Sequence, residues 1–259
     1  MRVPRLYLPA PLTIGATVPL SARAFNHAVR VLRLKSGAPL VLFDGEGGAF
    51  AATLSEAGKR EAWALVSTAL PDQAEPPLRI VLAQGISRGE KMDHTVQKAV
   101  ELGVAAIQPL FVERGGVGLS GERLARKVQH WRSIVIGACE QCGRNRLPEL
   151  REPLSLSEWL AQPADLSPVC EDGVGQRDKA RGPRLLLDPL AKQGLRGLEP
   201  PTVAVVLLVG SEGGLSPVEI AQARAAGFTG VRLGPRVLRT ETAGVAALAA
   251  LQALWGDWD

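Results

Sequence analysis

The chain has 259 residues, 46% of them hydrophobic and 22% charged, and a formal net charge of +4. That balance is ordinary for a globular protein and allows one large domain or two unequal ones. It excludes a membrane-embedded class, since the longest apolar run, Val203 to Val209, is far short of the roughly 20 residues a spanning helix needs. No apolar run follows Met1-Arg2-Val3-Pro4-Arg5, and three cysteines are too few for a disulfide framework, so the expectation is a cytoplasmic protein without a leader.

The charge is unevenly placed. Residues 1–70 hold eight basic and four acidic residues, while the rest of the chain is neutral. No carboxylate precedes Asp44, yet Arg2, Arg5, Arg23, Arg30, Arg33 and Lys35 all do. A one-signed segment on an otherwise balanced chain favours a polyanion partner, of which nucleic acid is the commonest.

In chain order, Arg5 to Leu8 and Pro39 to Phe43 read as short strands; Asp44-Gly45 then turns into a hairpin partner, Ala49 to Leu54. Between them, Ala24 to Leu34 has helical spacing and carries Arg30 and Arg33 on its polar side. Trp63 to Leu70 is a further strand, and the proline-rich stretch 71–77 a linker. A β-barrel-like module with a basic helix is expected up to there. The rhythm then alternates. Leu78 to Ala83 is a strand, Lys91 to Leu102 a helix stopped by Gly103, and Val104 to Val112 a strand. Ser120 opens a long helix with Leu124, Val128, Trp131, Val135, Ala138 and Cys142 on one face. Residues 162–182 are polar and turn-rich. Arg184 to Asp188 and Val203 to Val209 are aliphatic strands of a sheet covered on both faces. Ser216-Pro217-Val218-Glu219 is a capping box that opens a helix ended by Gly227. A last strand, Val231 to Leu233, precedes a terminal helix, Thr242 to Trp255. Alternating strands and helices predict an α/β fold with a parallel sheet.

Several chemistries are excluded by what is missing. Gly85 to Lys91 lacks the Gly-Lys-Ser/Thr of a phosphate loop, and there is no G-x-G-x-x-G and no G-x-S-x-G. His27, His94 and His130 have no metal-ligand spacing, and Cys139-x-x-Cys142 has no second ligand pair, so no metal is expected. What remains is a pair of glycine-marked loops, each between a strand and a helix. In Gly210-Ser211-Glu212-Gly213-Gly214 the glycines let backbone approach a ligand, and the helix start at Ser216 favours an anionic group. In Leu233-Gly234-Pro235-Arg236-Val237-Leu238-Arg239, Val237 and Leu238 offer an apolar slot suited to an adenine ring. Arg239 lies beside it, placed for a phosphate or a base carbonyl.

These loops, with Arg30 to Gly37, Lys91-Met92-Asp93, Gln97 to Gly103 and Glu140 to Arg144, resemble the bacterial ribosomal RNA small subunit methyltransferase E family over nearly the whole chain. The chain departs from the family pattern at Ser211, where proline is usual, and at His130, where arginine is usual. The resemblance implies a PUA-like RNA-binding β-barrel in residues 1–72 and a SPOUT methyltransferase domain with a trefoil knot in residues 73–259. It further implies S-adenosylmethionine as methyl donor, 16S rRNA of the small ribosomal subunit as substrate, methylation at uridine N3, and a homodimer. Under it, Gly210, Ser211, Gly213, Gly214, Leu233, Gly234, Val237, Leu238, Thr242 and Ala243 hold the cofactor. Arg239 stabilises the uracil anion, and Glu212 and Glu241 are the candidate proton acceptors; either also serves as an anchor for N–H groups, and Glu241, opening the terminal helix, suits that role slightly better. Arg2, Arg5, Arg30, Arg33, Lys35, Lys91 and Arg144 contact RNA. Two alternatives stay open: a related ribose methyltransferase acting on tRNA, and a non-catalytic RNA-binding or ribosome-assembly factor.

Overall fold

A computed structural model describes residues 3–9, 11–71, 74–116, 118–162, 182–202 and 204–258. Arg2, the first residue of the expected strand 203–209 and nearly all of the turn-rich stretch 162–182 lie outside the described residues. The chain divides into two units, Met1–Glu75 with Ile136–Leu147, and Pro76–Val135 with Pro148–Asp259.

The first unit is built on a sheet of β1 (Arg5–Tyr7), β2 (Thr17–Pro19), β3 (Pro39–Phe43), β4 (Ala49–Ala57) and β5 (Ala62–Leu70), ordered β1-β3-β4-β5-β2. The expected hairpin is there, with Phe43 opposite Ala49 and β3 antiparallel to β4. Alternation along the strands puts Leu6, Leu40, Leu42, Leu54, Ala64 and Val66 into one core. The basic helix is shorter and less regular than its spacing predicts. A four-residue α1 (Ala22–Phe25), capped by the Ser21 hydroxyl, widens into a π-helical turn over Asn26–Val31. Phe25 and Ala28 still reach the core, and Arg33 ends the segment at φ 55°, the left-handed region that side chains other than glycine rarely adopt.

The same unit closes over the segment Ile136–Leu147. The buried Glu140 accepts hydrogen bonds from the Tyr7 N–H (3.2 Å) and from Arg23 (3.1 Å), and His27 lies 3.6 Å away. Arg144, 4% exposed, forks across Glu75 with contacts of 3.2 and 2.8 Å, and Arg5 donates to Asn145 at 2.6 Å. Cys139 in this segment is a buried free thiol whose pKa desolvation pushes up to about 12, which makes it inert.

The second unit is a parallel α/β sheet. Its elements are β6 (Arg79–Gly85), α2 (Glu90–Glu101), β7 (Ala106–Phe111), α3 (Gly121–Cys142, whose end belongs to the first unit), the two-residue strands β8 (Glu149–Leu150) and β9 (Leu154–Ser155), α4 (Leu156–Ala161), β10 (Arg184–Leu187), β11 (Ala204–Val209), α5 (Pro217–Ala225), β12 (Thr229–Val231) and α6 (Thr240–Trp255). The strand order is β12-β10-β11-β6-β7-β8, with β9 also on β7, and every pairing is parallel. All of β11 is buried, as its unbroken aliphatic run predicts for a sheet covered on both faces. The apolar face of α2 (Met92, Val96, Ala99, Val100) points inward as its spacing predicts. It packs against α6, whose fully buried Leu248 and Leu251 each contribute roughly 1.5–3 kcal/mol by area. The Ser216–Glu219 capping box forms, with Pro217 at the start of α5. On α2 and α3, Asp93 gathers Lys127 (2.7 Å), His130 (2.8 Å) and Trp131 (2.9 Å). Burial pushes the Asp93 carboxyl up, but these partners outweigh it and hold it below its ordinary value.

Candidate active site

The carboxyl ends of β10, β11 and β12 lie side by side, the place where open parallel sheets bind ligands. The two glycine-marked loops wall a cavity there of about 600 Å³. Its floor is apolar, from Leu186, Val209, Leu215, Ile220 and Val231.

The first loop is locked in place. Gln84, fully buried at the end of β6, donates to the Gly210 carbonyl (3.2 Å) and to the Thr240 hydroxyl (3.0 Å), and Thr240 itself donates to Gly210 at 2.6 Å. Three segments far apart in the chain thus meet on one carbonyl. The strand beneath has to end in glycine, because a Cβ at Gly85 would stand 2.5 Å from the Ser211 nitrogen. Glu212 reaches back to the loop after β6, accepting from the Arg88 N–H at 3.0 Å with Lys91 at 3.3 Å. Desolvation pushes the Glu212 carboxyl up, but the N–H groups of Glu212 and Arg88 and the Lys91 ammonium more than offset it, so the carboxyl sits below its ordinary value. A lowered pKa makes this carboxylate a weaker base.

The second loop is open. Val237 is 80% exposed, so Leu238 alone gives the apolar slot a half-buried wall. Arg239 lines the cavity, is exposed, and has no ion-pair partner among the described residues. Its carbonyl starts α6 by accepting from the N–H groups of Thr242 (3.0 Å) and Ala243 (2.7 Å). Glu241, in the first turn, is half-buried, and its Oε2 is buried with no hydrogen-bond partner. The Ser211 hydroxyl is buried and unpartnered in the same way.

Of the residues expected at the cofactor, Gly210, Ser211, Gly213, Gly214, Leu233, Gly234, Val237, Leu238 and Ala243 line this cavity, with Arg239, Glu212 and Glu241. Thr242 does not; its N–H serves the helix start. The expected RNA contacts divide. Arg30, Arg33 and Lys35 are exposed on the first unit. Arg144 is corrected: it is buried in its fork with Glu75, closed to a phosphate. Arg5 is half-buried and engaged with Asn145 and the Arg144 carbonyl, with its guanidinium 5.1 Å from the Phe43 ring centre. Lys91 lies at the cavity, tied to Glu212. Sequence reasoning missed Gln84, Thr240 and Arg114, and it read Glu219 only as a cap. Among the described residues no group of three or more His, Cys, Asp or Glu is set to hold a metal, and no helix is long and apolar enough to cross a membrane.

Known proteins share this arrangement. A family model described as an RNA methyltransferase domain matches residues 74–252, and one described as an RNA methyltransferase PUA domain matches residues 20–67. Ribosomal RNA small subunit methyltransferase E of Buchnera aphidicola subsp. Schizaphis graminum is 35% identical over 99% of this chain and 98% of its own length. The Neisseria gonorrhoeae enzyme of that name, solved bound to S-adenosylmethionine, is 41% identical, covers 100% of both chains and superimposes with a TM-score of 0.90. A Legionella pneumophila protein solved in complex with the same cofactor is 39% identical over 100% of both chains, with a TM-score of 0.89. With a catalytic-domain match over most of its length and such relatives end to end, this chain belongs to the ribosomal RNA small subunit methyltransferase E family.

Proposed function

We propose that this chain binds S-adenosylmethionine in the cavity between its two glycine-marked loops and methylates N3 of a uridine in 16S rRNA of the small ribosomal subunit. The observation that carries this reading is the cavity itself. Its floor is apolar, its rim is glycine backbone, and two lining residues, Ser211 and Glu241, have buried oxygens without a partner. Such oxygens call for a polar ligand, and a cofactor with an adenine ring, ribose hydroxyls and an amino-acid tail fits that donor set. Gly210, Ser211, Gly213, Gly214, Leu233, Gly234, Leu238 and Ala243 would hold it. When bound, it supplies an electrophilic methyl carbon on a sulfonium.

Uridine N3 is protonated at neutral pH, so the protein has to remove that proton and stabilise the anion that its loss leaves. Arg239, exposed at the cavity and without an ion pair among the described residues, donates to a uracil carbonyl or a neighbouring phosphate and stabilises the developing anion. Glu212 clamps its loop. Glu241 is the better proton acceptor, supported by its partnerless Oε2, and this reverses the order suggested by its place at the helix start. Arg30, Arg33 and Lys35 grip RNA phosphates from the N-terminal region, residues 1–72, while residues 73–259 carry out transfer. The pinning of Thr240 to Gly210 and Gln84 supports a trefoil knot through these loops, and the five-stranded sheet of the first unit supports a PUA-like barrel. Leu190 at 91% exposure and Val237 at 80%, both at the cavity, support a homodimer that covers them. An enzyme acting on 16S rRNA works in ribosome maturation, in the cytoplasm.

The test is methyl transfer from labelled S-adenosylmethionine to small subunits lacking the modification, with the product nucleoside identified by mass spectrometry. N3-methyluridine is the expected product. A ribose methyl product, or RNA binding with no product, would replace this reading.

A further inference from the structure

We infer that Arg114 is a substrate-contacting residue of this site, gripping an oxyanion, and that Glu219 is the residue that positions it; the inference rests on the methyl-transfer reading above. Glu219 is 4% exposed, and a carboxylate so buried is costly unless both oxygens are bonded. The capping box of α5 accounts for one, Oε2, which accepts from the Ser216 N–H at 2.7 Å. The other, Oε1, has no capping role. It accepts from the N–H of Glu113 at 2.8 Å, on the turn after β7 that the Gly115 N–H closes onto the Val112 carbonyl. One buried carboxylate therefore ties the turn to the end of the first glycine loop.

Arg114 is the next residue on that turn. Its Cβ and its carbonyl lie against Gly213, where a Cβ would stand 2.7 Å from each. Packing thus uses the base of Arg114 and its backbone, while the residue as a whole is exposed and lines the cavity, which leaves its guanidinium for a ligand. Three of the charges that line the cavity are already paired: Lys91 with Glu212 at 3.3 Å, and Asp188 with Arg224 at 3.1 Å. Arg114 has no ion pair among the described residues. A guanidinium held on a fixed turn at a ligand cavity, with no carboxylate of its own, is a ready oxyanion site. The oxyanion is a phosphate of the RNA next to the target uridine or the carboxylate of the cofactor, and the experiment separates the two.

Arg114→Ala keeps the Cβ and carbonyl that touch Gly213, so the fold stays intact and the change reads the guanidinium alone. The probes are unmodified small ribosomal subunits, for affinity and KM, and S-adenosylmethionine alone by calorimetry. The expected result is an RNA Kd and KM raised about tenfold, as for loss of a charge-assisted bond, with cofactor affinity within about twofold. A tenfold loss of cofactor affinity with RNA binding unchanged also supports the site and assigns the oxyanion to the cofactor. Unchanged affinity for both overturns it. Glu219→Gln, which keeps an acceptor for only one of the two N–H groups, is expected to weaken the same ligand. Adding Arg114→Ala to it should cost little more, because the two act as a unit. Additive losses would overturn the positioning role. The binding readouts stand even if the methylated product proves to be something other than N3-methyluridine.

Discussion

The two loops that wall the cavity are neighbours in space and opposites in how they are held. Gly210 to Gly214 is tied from several sides: Gln84 and Thr240 on one carbonyl, Arg88 and Lys91 on Glu212, and an internal bond from the Gly214 N–H to the Ser211 carbonyl at 2.9 Å. The second loop is bonded at its ends, through Arg232 to the Gln193 carbonyl and through the Arg239 carbonyl to α6. Among the described residues, 233–238 make no backbone hydrogen bond to another segment. The difference separates two tasks: the first loop gives a fixed wall, the second an adjustable one that carries the exposed Arg239.

The sharpest way to break this division is Arg239→Ala. It should lower kcat about 10²- to 10³-fold, as removal of an anion-stabilising donor does. Cofactor affinity by calorimetry should hardly change, and a lost affinity would put Arg239 into the fixed wall instead. Thr240→Val attacks the fixed wall. It removes the hydroxyl between Gln84 and Gly210 and should cost about 1–2 kcal/mol in chemical unfolding. A smaller step is Glu212→Gln. The folded-state pKa of Glu212 lies below its ordinary 4.5, so its contribution to stability is present above that value and is lost as pH falls through the depressed one. The Gln variant should be less stable than the parent at neutral pH, and the gap should close on acidification in denaturant titrations. The mildest effect is on dynamics. Hydrogen exchange at 233–238 should be at least about tenfold faster than at 210–214, and S-adenosylmethionine should slow the former more.

Much of this was readable from residue order. The aliphatic runs of β10 and β11 and the spacing of Met92, Val96, Ala99 and Val100 each have one physical solution, a doubly covered strand and an amphipathic helix. Both glycine loops were visible for a similar reason, since strand, glycine-marked turn and helix follow one another directly, and a capping box marks the helix after the first. Strands of two or three residues, β2, β8 and β9, are too short to show a period. The π-helical turn at Asn26–Val31 has the same apolar spacing as an α-helix and differs in its backbone bonds. The site's supports were hidden because they join distant positions through backbone groups. Glu219 binds an N–H 106 residues away, and Gln84 meets Thr240 across 156. A carboxylate aimed at a backbone N–H has no complementary side chain to betray it. Arg144, an RNA contact under the family resemblance, has its carboxylate hidden in the same way, since Glu75 lies 69 residues earlier in the chain.

The ion pairs that Arg23 and Glu75 make with Glu140 and Arg144 have a consequence for the order in which the protein is made. A ribosome delivers the N-terminal strands first, and at that moment Arg23, Glu75 and the Tyr7 N–H have nothing to bind. Their partners leave the exit tunnel only after the first segment of the second unit, Pro76–Val135, has been synthesised. The N-terminal unit is therefore unfinished while its own strands are being made and is completed by a later piece of chain, so it matures no earlier than residue 147.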